Sequence, residues 1–139
     1  MKILIDENIS PFLARSLNAL FKDEHEVVSL RDKFGKGVTD VEWITTLSNE
    51  GRWITISGDR RITRNKAEFN AFRSSKLIGF FMSQAVYKSP LTWQAARILI
   101  LWDDMIAWPA AGSVDTELRC FMELEVFNAE TEVQPRVQA

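Results

Sequence analysis

The sequence predicts an α/β protein, a three-layer α/β/α sandwich around a mainly parallel central sheet. Short apolar runs rich in β-branched residues recur along the chain, at Ile3-Leu4-Ile5, Val27-Val28 and Trp53-Ile54-Thr55-Ile56. Runs of that length mark strands buried on both faces. Stretches with helix-start signals and helical apolar spacing lie between them, and such alternation argues for βαβ units. The first run stops abruptly at Asp6 and Glu7. Ligands of open parallel sheets bind just beyond the carboxyl ends of the strands.

The elements follow in order. Residues 1–6 form the first strand. Ser10-Pro11 is a helix start, an N-cap followed by proline at the first helical position. Leu13, Leu17, Leu20 and Phe21 then share one helical face. His25–Leu30 reads as a second strand, and residues 31–38, with Gly35 and Gly37 among charges, as a surface loop. Thr39 and Glu42 have capping-box spacing. Val41, Ile44, Thr45 and Leu47 are the expected buried side of that helix, and Gly51 is its stop.

Trp53–Ile56 is the third strand, closed by Ser57-Gly58-Asp59. Asn65 and Glu68 repeat the capping-box spacing ahead of Phe69 and Phe72. Leu77–Met82 is the fourth strand. Ser89-Pro90 opens a long helix with Trp93, Ala96 and Ile100 on one face, ended by Pro109 and Gly112. Leu118–Val126 reads as a late strand. The expected organisation is one domain over 1–127 with a polar tail over 128–139.

Composition narrows the chemistry. The chain has 139 residues, 46% hydrophobic and 26% charged, which suits one domain with a real core. With 17 basic and 19 acidic residues the net charge is −2, so attraction to nucleic acid must come from local patches. A single cysteine, Cys120, excludes an internal disulfide framework, and a single histidine, His25, argues against a histidine metal site or a Ser-His-Asp triad. His25 itself reads as a surface residue beside Glu24 and Glu26. No signal peptide and no apolar run of the ~20 residues a membrane span needs are visible, so the expectation is a cytoplasmic protein.

Three carboxylates stand at element ends. Asp6 follows the first strand, Asp40 opens a helix and Asp59 follows the third strand. Parallel strands put their carboxyl ends on one edge, about 5 Å apart between neighbours. Carboxylates held that close repel unless one is protonated or a cation intervenes. With neither histidine nor a second cysteine, an all-oxygen Mg²⁺ or Mn²⁺ site is the expected metal site. Such an ion activates water and stabilises in-line attack on a phosphodiester.

Each aspartate has a plainer role open to it: Asp40 as a charge on a helix N-terminus, Asp59 as a turn residue. Glu7 and Glu42 are candidates to surround the ligands, Glu7 otherwise reading as solvent-exposed and Glu42 as a capping-box partner. A basic cluster follows Asp59, with Arg60, Arg61, Arg64 and Lys66, then Arg73 and Lys76. Arginine suits bidentate phosphate binding, and Arg60, Arg61 and Arg64 are the expected RNA contacts. A solvated loop and helix face is the alternative.

Met1–Ser10 (MKILIDENIS), Thr39-Asp40-Val41-Glu42 and Trp53–Ile62 (WITISGDRRI) resemble the PIN-like domains, closest to the compact VapC-like branch associated with toxin–antitoxin modules. The resemblance implies a metal-dependent endoribonuclease with Asp6, Asp40 and Asp59 as catalytic metal ligands for Mg²⁺ or Mn²⁺. It also implies an RNA substrate, an antitoxin protein that blocks the acidic pocket, and a homodimer. Many relatives carry an aspartate two residues after the last ligand, where this chain has Arg61. A catalytically weak PIN-like module that binds RNA or protein is therefore the alternative, and phosphoryl transfer through an aspartyl intermediate is a third possibility.

Overall fold

The computed structural model describes residues 1–58 and 65–107, and the backbone of 123–124. In chain order the elements are β1 (Lys2–Ile5), α1 (Pro11–Leu20), β2 (Glu26–Ser29), α2 (Leu30–Phe34), α3 (Asp40–Glu50) and β3 (Trp53–Ser57). They continue with α4 (Lys66–Ser74), β4 (Ile78–Met82), α5 (Gln84–Tyr87), α6 (Leu91–Ala107) and β5 (Glu123–Leu124). The five strands form one sheet in the order β2-β1-β3-β4-β5, and every pairing is parallel. Ile5 lies opposite Ser29 on one side and Ile56 on the other, so the strand ends are level.

Successive side chains of a strand point to opposite faces, and the core divides accordingly. Ile3 and Ile5, Ile54 and Ile56, and Ile78, Phe80 and Met82 pack with Leu13 and Leu17 of α1 and with Ile98, Leu101 and Trp102 of α6. Leu4, Trp53, Leu77 and Phe81 pack on the other face with Trp43, Ile44 and Leu47 of α3 and Phe72 of α4. Helices thus cover both faces of a parallel sheet, the α/β/α sandwich expected.

Local signals explain the helix boundaries. Ser10 caps α1, accepting from the Phe12 N–H, with Pro11 at the first helical position. Thr39 and Glu42 form the reciprocal capping box of α3, which ends at Gly51 with φ 77°. Asn65 caps α4, accepting from the N–H groups of Ala67 and Glu68.

Several expectations need correction. Residues 31–38 are not all loop: Leu30–Phe34 is a short helix capped by the Ser29 hydroxyl, and only Gly35 and Gly37 take positive φ. On α1, Leu20 is exposed and Ala14 takes the buried place. On α3, Val41 and Thr45 face outward while Trp43, Ile44 and Leu47 are buried. His25 is not a surface residue, since its side chain is 13% exposed and it meets the stacked pair Phe21–Trp102 edge-on.

α6 carries two apolar stripes. Ile98, Leu101, Trp102 and Met105 face the sheet, whereas Trp93 and Ile100 are 56% and 53% exposed. Both stripes obey the helical period, so periodicity could not choose between them. The exposed one borders an apolar groove of about 370 Å³ between α5 and α6. Pro109, Gly112 and the 128–139 tail lie outside the described residues, as does most of the expected late strand apart from β5. No described helix is long and apolar enough to cross a membrane.

Candidate active site

Strand order places the topological switch of the sheet between β1 and β3. From β1 the chain goes by α1 to β2 on one side, then crosses by α3 to β3 on the other. Helices on opposite faces leave a crevice at the carboxyl ends of these two strands, the usual ligand position in such sheets. Asp6 stands there. Its N–H donates to the Ile56 carbonyl at 2.9 Å, which carries the β1–β3 ladder one residue past β1.

The Asp6 carboxylate is held by neutral donors. Oδ1 accepts from the Glu7 N–H at 2.7 Å and Oδ2 from the Ser57 hydroxyl at 2.8 Å. The Asp6 carbonyl accepts from the Ile9 N–H at 3.1 Å, closing a turn that aims Asn8 at β3. Asn8 Oδ1 accepts from the Gly58 N–H at 2.8 Å, and Asn8 Nδ2 lies 3.4 Å from the Ser57 Oγ. A Cβ on Gly58 would stand 2.6 Å from ring carbons of Tyr87 and 3.1 Å from Asn8 Oδ1. Only glycine lets the chain leave β3 through that gap.

Burial pushes the Asp6 carboxyl above its ordinary pKa; the Ser57 and Glu7 hydrogen bonds oppose that push, and the negative charges of Asp40 and Glu7 add to it. No ion pair among the described residues involves Asp6 or Asp40. A half-buried carboxylate with no cation paired to it among the described residues is electrostatically costly.

Asp40 is the first residue of α3, and its charge is felt at Asp6. It also has structural work, since its Oδ1 accepts from the indole N–H of buried Trp43 at 2.8 Å. Glu42 is occupied by the capping box, its Oε2 accepting from the N–H and hydroxyl of Thr39 at 2.7 and 2.9 Å. Glu7 is exposed and serves Asp6 through its backbone. Asp59, Arg60, Arg61 and Arg64 lie outside the described residues, while Lys66, Arg73 and Lys76 are exposed on and beside α4.

The donor chemistry fits a hard cation. Each Asp6 oxygen takes one donor and keeps acceptor capacity. Among the described residues no three acidic, histidine or cysteine side chains group closely enough to hold a metal by themselves. Mg²⁺, however, keeps several waters and commonly takes only one or two protein carboxylates. Asp6 is a carboxylate of that kind, and the charge of Asp40 is felt there.

Sequence reasoning named Asp6 and Asp40 as candidates but not the polar set around Asp6, namely Asn8, Ser57, Gly58 and Tyr87. The available signals were the Asp6-x-Asn8 spacing and a glycine directly after a strand.

A family profile described as "PIN like domain" matches residues 1–84, more than half of the chain, including Asp6, Asp40 and Asp59. Comparison with curated proteins and with solved structures gives no match.

Proposed function

The chain belongs to the PIN-like domain family, and on that premise we propose that it is a divalent-metal-dependent endoribonuclease. Family membership carries the coarser statement, a nuclease-type fold. The observation that most supports the finer one is Asp6, a half-buried carboxylate at the β1–β3 switch whose described partners are neutral donors and which lies in the field of a second aspartate.

Asp6 and Asp40 would hold Mg²⁺ or Mn²⁺, joined by Asp59 two residues beyond β3. When bound, the ion would activate water and neutralise charge on the scissile phosphodiester. The Ser57 hydroxyl and the Glu7 N–H keep Asp6 oriented for that task. Arg60, Arg61 and Arg64 would grip the phosphates of RNA. Within this reading the protein is a VapC-like toxin, a subunit of a homodimer, held silent by an antitoxin segment lying over the acidic edge.

The purified protein is expected to cleave RNA with Mn²⁺ and to lose cleavage with EDTA and in Asp6→Asn. Cleavage that survives both overturns the reading. Arg61, at a position where many relatives carry aspartate, favours one alternative, a module that binds RNA or protein without cutting. Saturable RNA binding with no turnover in any divalent metal would establish that alternative.

A further inference from the structure

Asp6 does not stand alone at the sheet edge. Where β1 turns away, the Asp6 carbonyl is taken by Ile9, so the backbone of β1 offers the next rung of the ladder nothing. The Asn8 side chain supplies that rung, its Oδ1 receiving the Gly58 N–H at 2.8 Å. The same amide turns its nitrogen to the Ser57 oxygen at 3.4 Å, while Ser57 gives its proton to Asp6 Oδ2 at 2.8 Å. The Ser57 hydroxyl thus accepts from the amide and donates to the carboxylate, which links Asn8 to Asp6 through one side chain. The ring of Tyr87 closes the far side of Gly58, where no Cβ fits.

We propose that Asn8 is a positioning residue of the Asp6 site: its amide pins the backbone leaving β3 and directs the Ser57 hydroxyl onto Asp6, leaving that carboxylate one orientation toward the sheet edge. The proposal rests on the reading of Asp6 as a cation ligand. Residues that orient a metal's ligands without touching the metal are typically worth about 10–100-fold in metal affinity or activity.

The test measures Mn²⁺ affinity by calorimetry, in the absence of RNA, on wild type, Asn8→Ala, Ser57→Ala and the double variant, with folding checked by circular dichroism. Asn8→Ala is expected to weaken Mn²⁺ about 10–100-fold. In cleavage assays it should raise the Mn²⁺ concentration for half-maximal rate and leave the KM for RNA unchanged. Because Asn8 acts in part through Ser57, the double variant should lose less than the two single losses combined.

A folded Asn8→Ala with native Mn²⁺ affinity overturns the proposal and leaves the nuclease reading standing, and fully additive losses also overturn it. Wild type that binds neither Mn²⁺ nor Mg²⁺ overturns both. If Asn8→Ala does not fold, Ser57→Ala, which leaves the Asn8–Gly58 bond intact, decides: native Mn²⁺ affinity there overturns the proposal, and a loss of about tenfold or more supports it.

Discussion

Asp6 and Asp40 are the same residue type at two element ends, one just past β1 and the other opening α3, yet their surroundings treat the charge in opposite ways. Asp40 sits where the first peptide N–H groups of a helix favour an anion, and it takes the indole proton of Trp43. Its carboxylate therefore contributes to the fold. Asp6 is half-buried, enough withdrawn from water that its ionised form is disfavoured, and Asp40 and Glu7 add repulsion. The Ser57 and Glu7 donors offset that cost only in part. That contrast is what marks Asp6, rather than Asp40, as the candidate functional group.

The largest break in this contrast should come from Asp6→Asn. Cleavage and Mn²⁺ binding should fall by about a hundredfold or more, since loss of a ligand exceeds loss of its supports. Stability should move the other way in metal-free protein. A carboxyl whose folded pKa is raised contributes stability below its ordinary value of about 3.9 and loses it as pH rises through the folded value. At neutral pH Asp6 is thus a burden, and Asp6→Asn should unfold at higher denaturant than wild type, the gap closing toward pH 4. Excess Mn²⁺ should reverse the order, since ligand at a hundred times Kd stabilises the native state by about 2.7 kcal/mol. Equal denaturation midpoints with and without Mn²⁺ would remove the contrast.

Much of this was legible before any coordinates. Asp6 was readable because an apolar strand that stops on a carboxylate at a parallel edge has few structural uses. The capping box of Thr39 and Glu42 was readable because it is local, depending on residues three apart. Long-range pairings were not. Asn8 acquires meaning only when Gly58, fifty residues later, is placed beside it. The Asp40–Trp43 bond joins neighbours in sequence but needs Trp43 on the buried face, and the expected face was Val41, Ile44, Thr45 and Leu47. On α6 two apolar stripes, one with Trp93 and Ile100 and one with Ile98, Leu101 and Trp102, look alike until the sheet chooses between them.

A smaller effect separates the two roles of Asp40. Asp40→Ala leaves the indole N–H of buried Trp43 without its acceptor, which should cost about 1–3 kcal/mol. Asp40→Asn keeps an oxygen in place and should stay within about 1 kcal/mol of wild type. Mn²⁺ affinity then discriminates. Weakened binding in Asp40→Asn places the residue in the site, whereas native affinity and native cleavage confine it to holding Trp43. Chemical unfolding and calorimetry on the two variants supply both readings.

The smallest effect lies in the same first turn of α3, where pH should act with the sign opposite to that at Asp6. Glu42 accepts from the Thr39 N–H and hydroxyl, and those bonds hold its carboxyl below the ordinary glutamate value. A lowered folded pKa contributes stability above the ordinary value, about 4.3, and loses it as pH falls through the folded one. Thr39→Ala removes the cap and should cost about 1 kcal/mol at neutral pH. Glu42→Gln should be less stable than wild type at pH 7 and approach it toward pH 3, while metal-free Asp6→Asn starts above wild type and descends to it. Urea midpoints for both variants across that range would show the two gaps closing from opposite sides. Two gaps of the same sign would mean that Asp6, like Glu42, is stabilised in its charged form by the fold, leaving the β1 edge no different in kind from the start of α3.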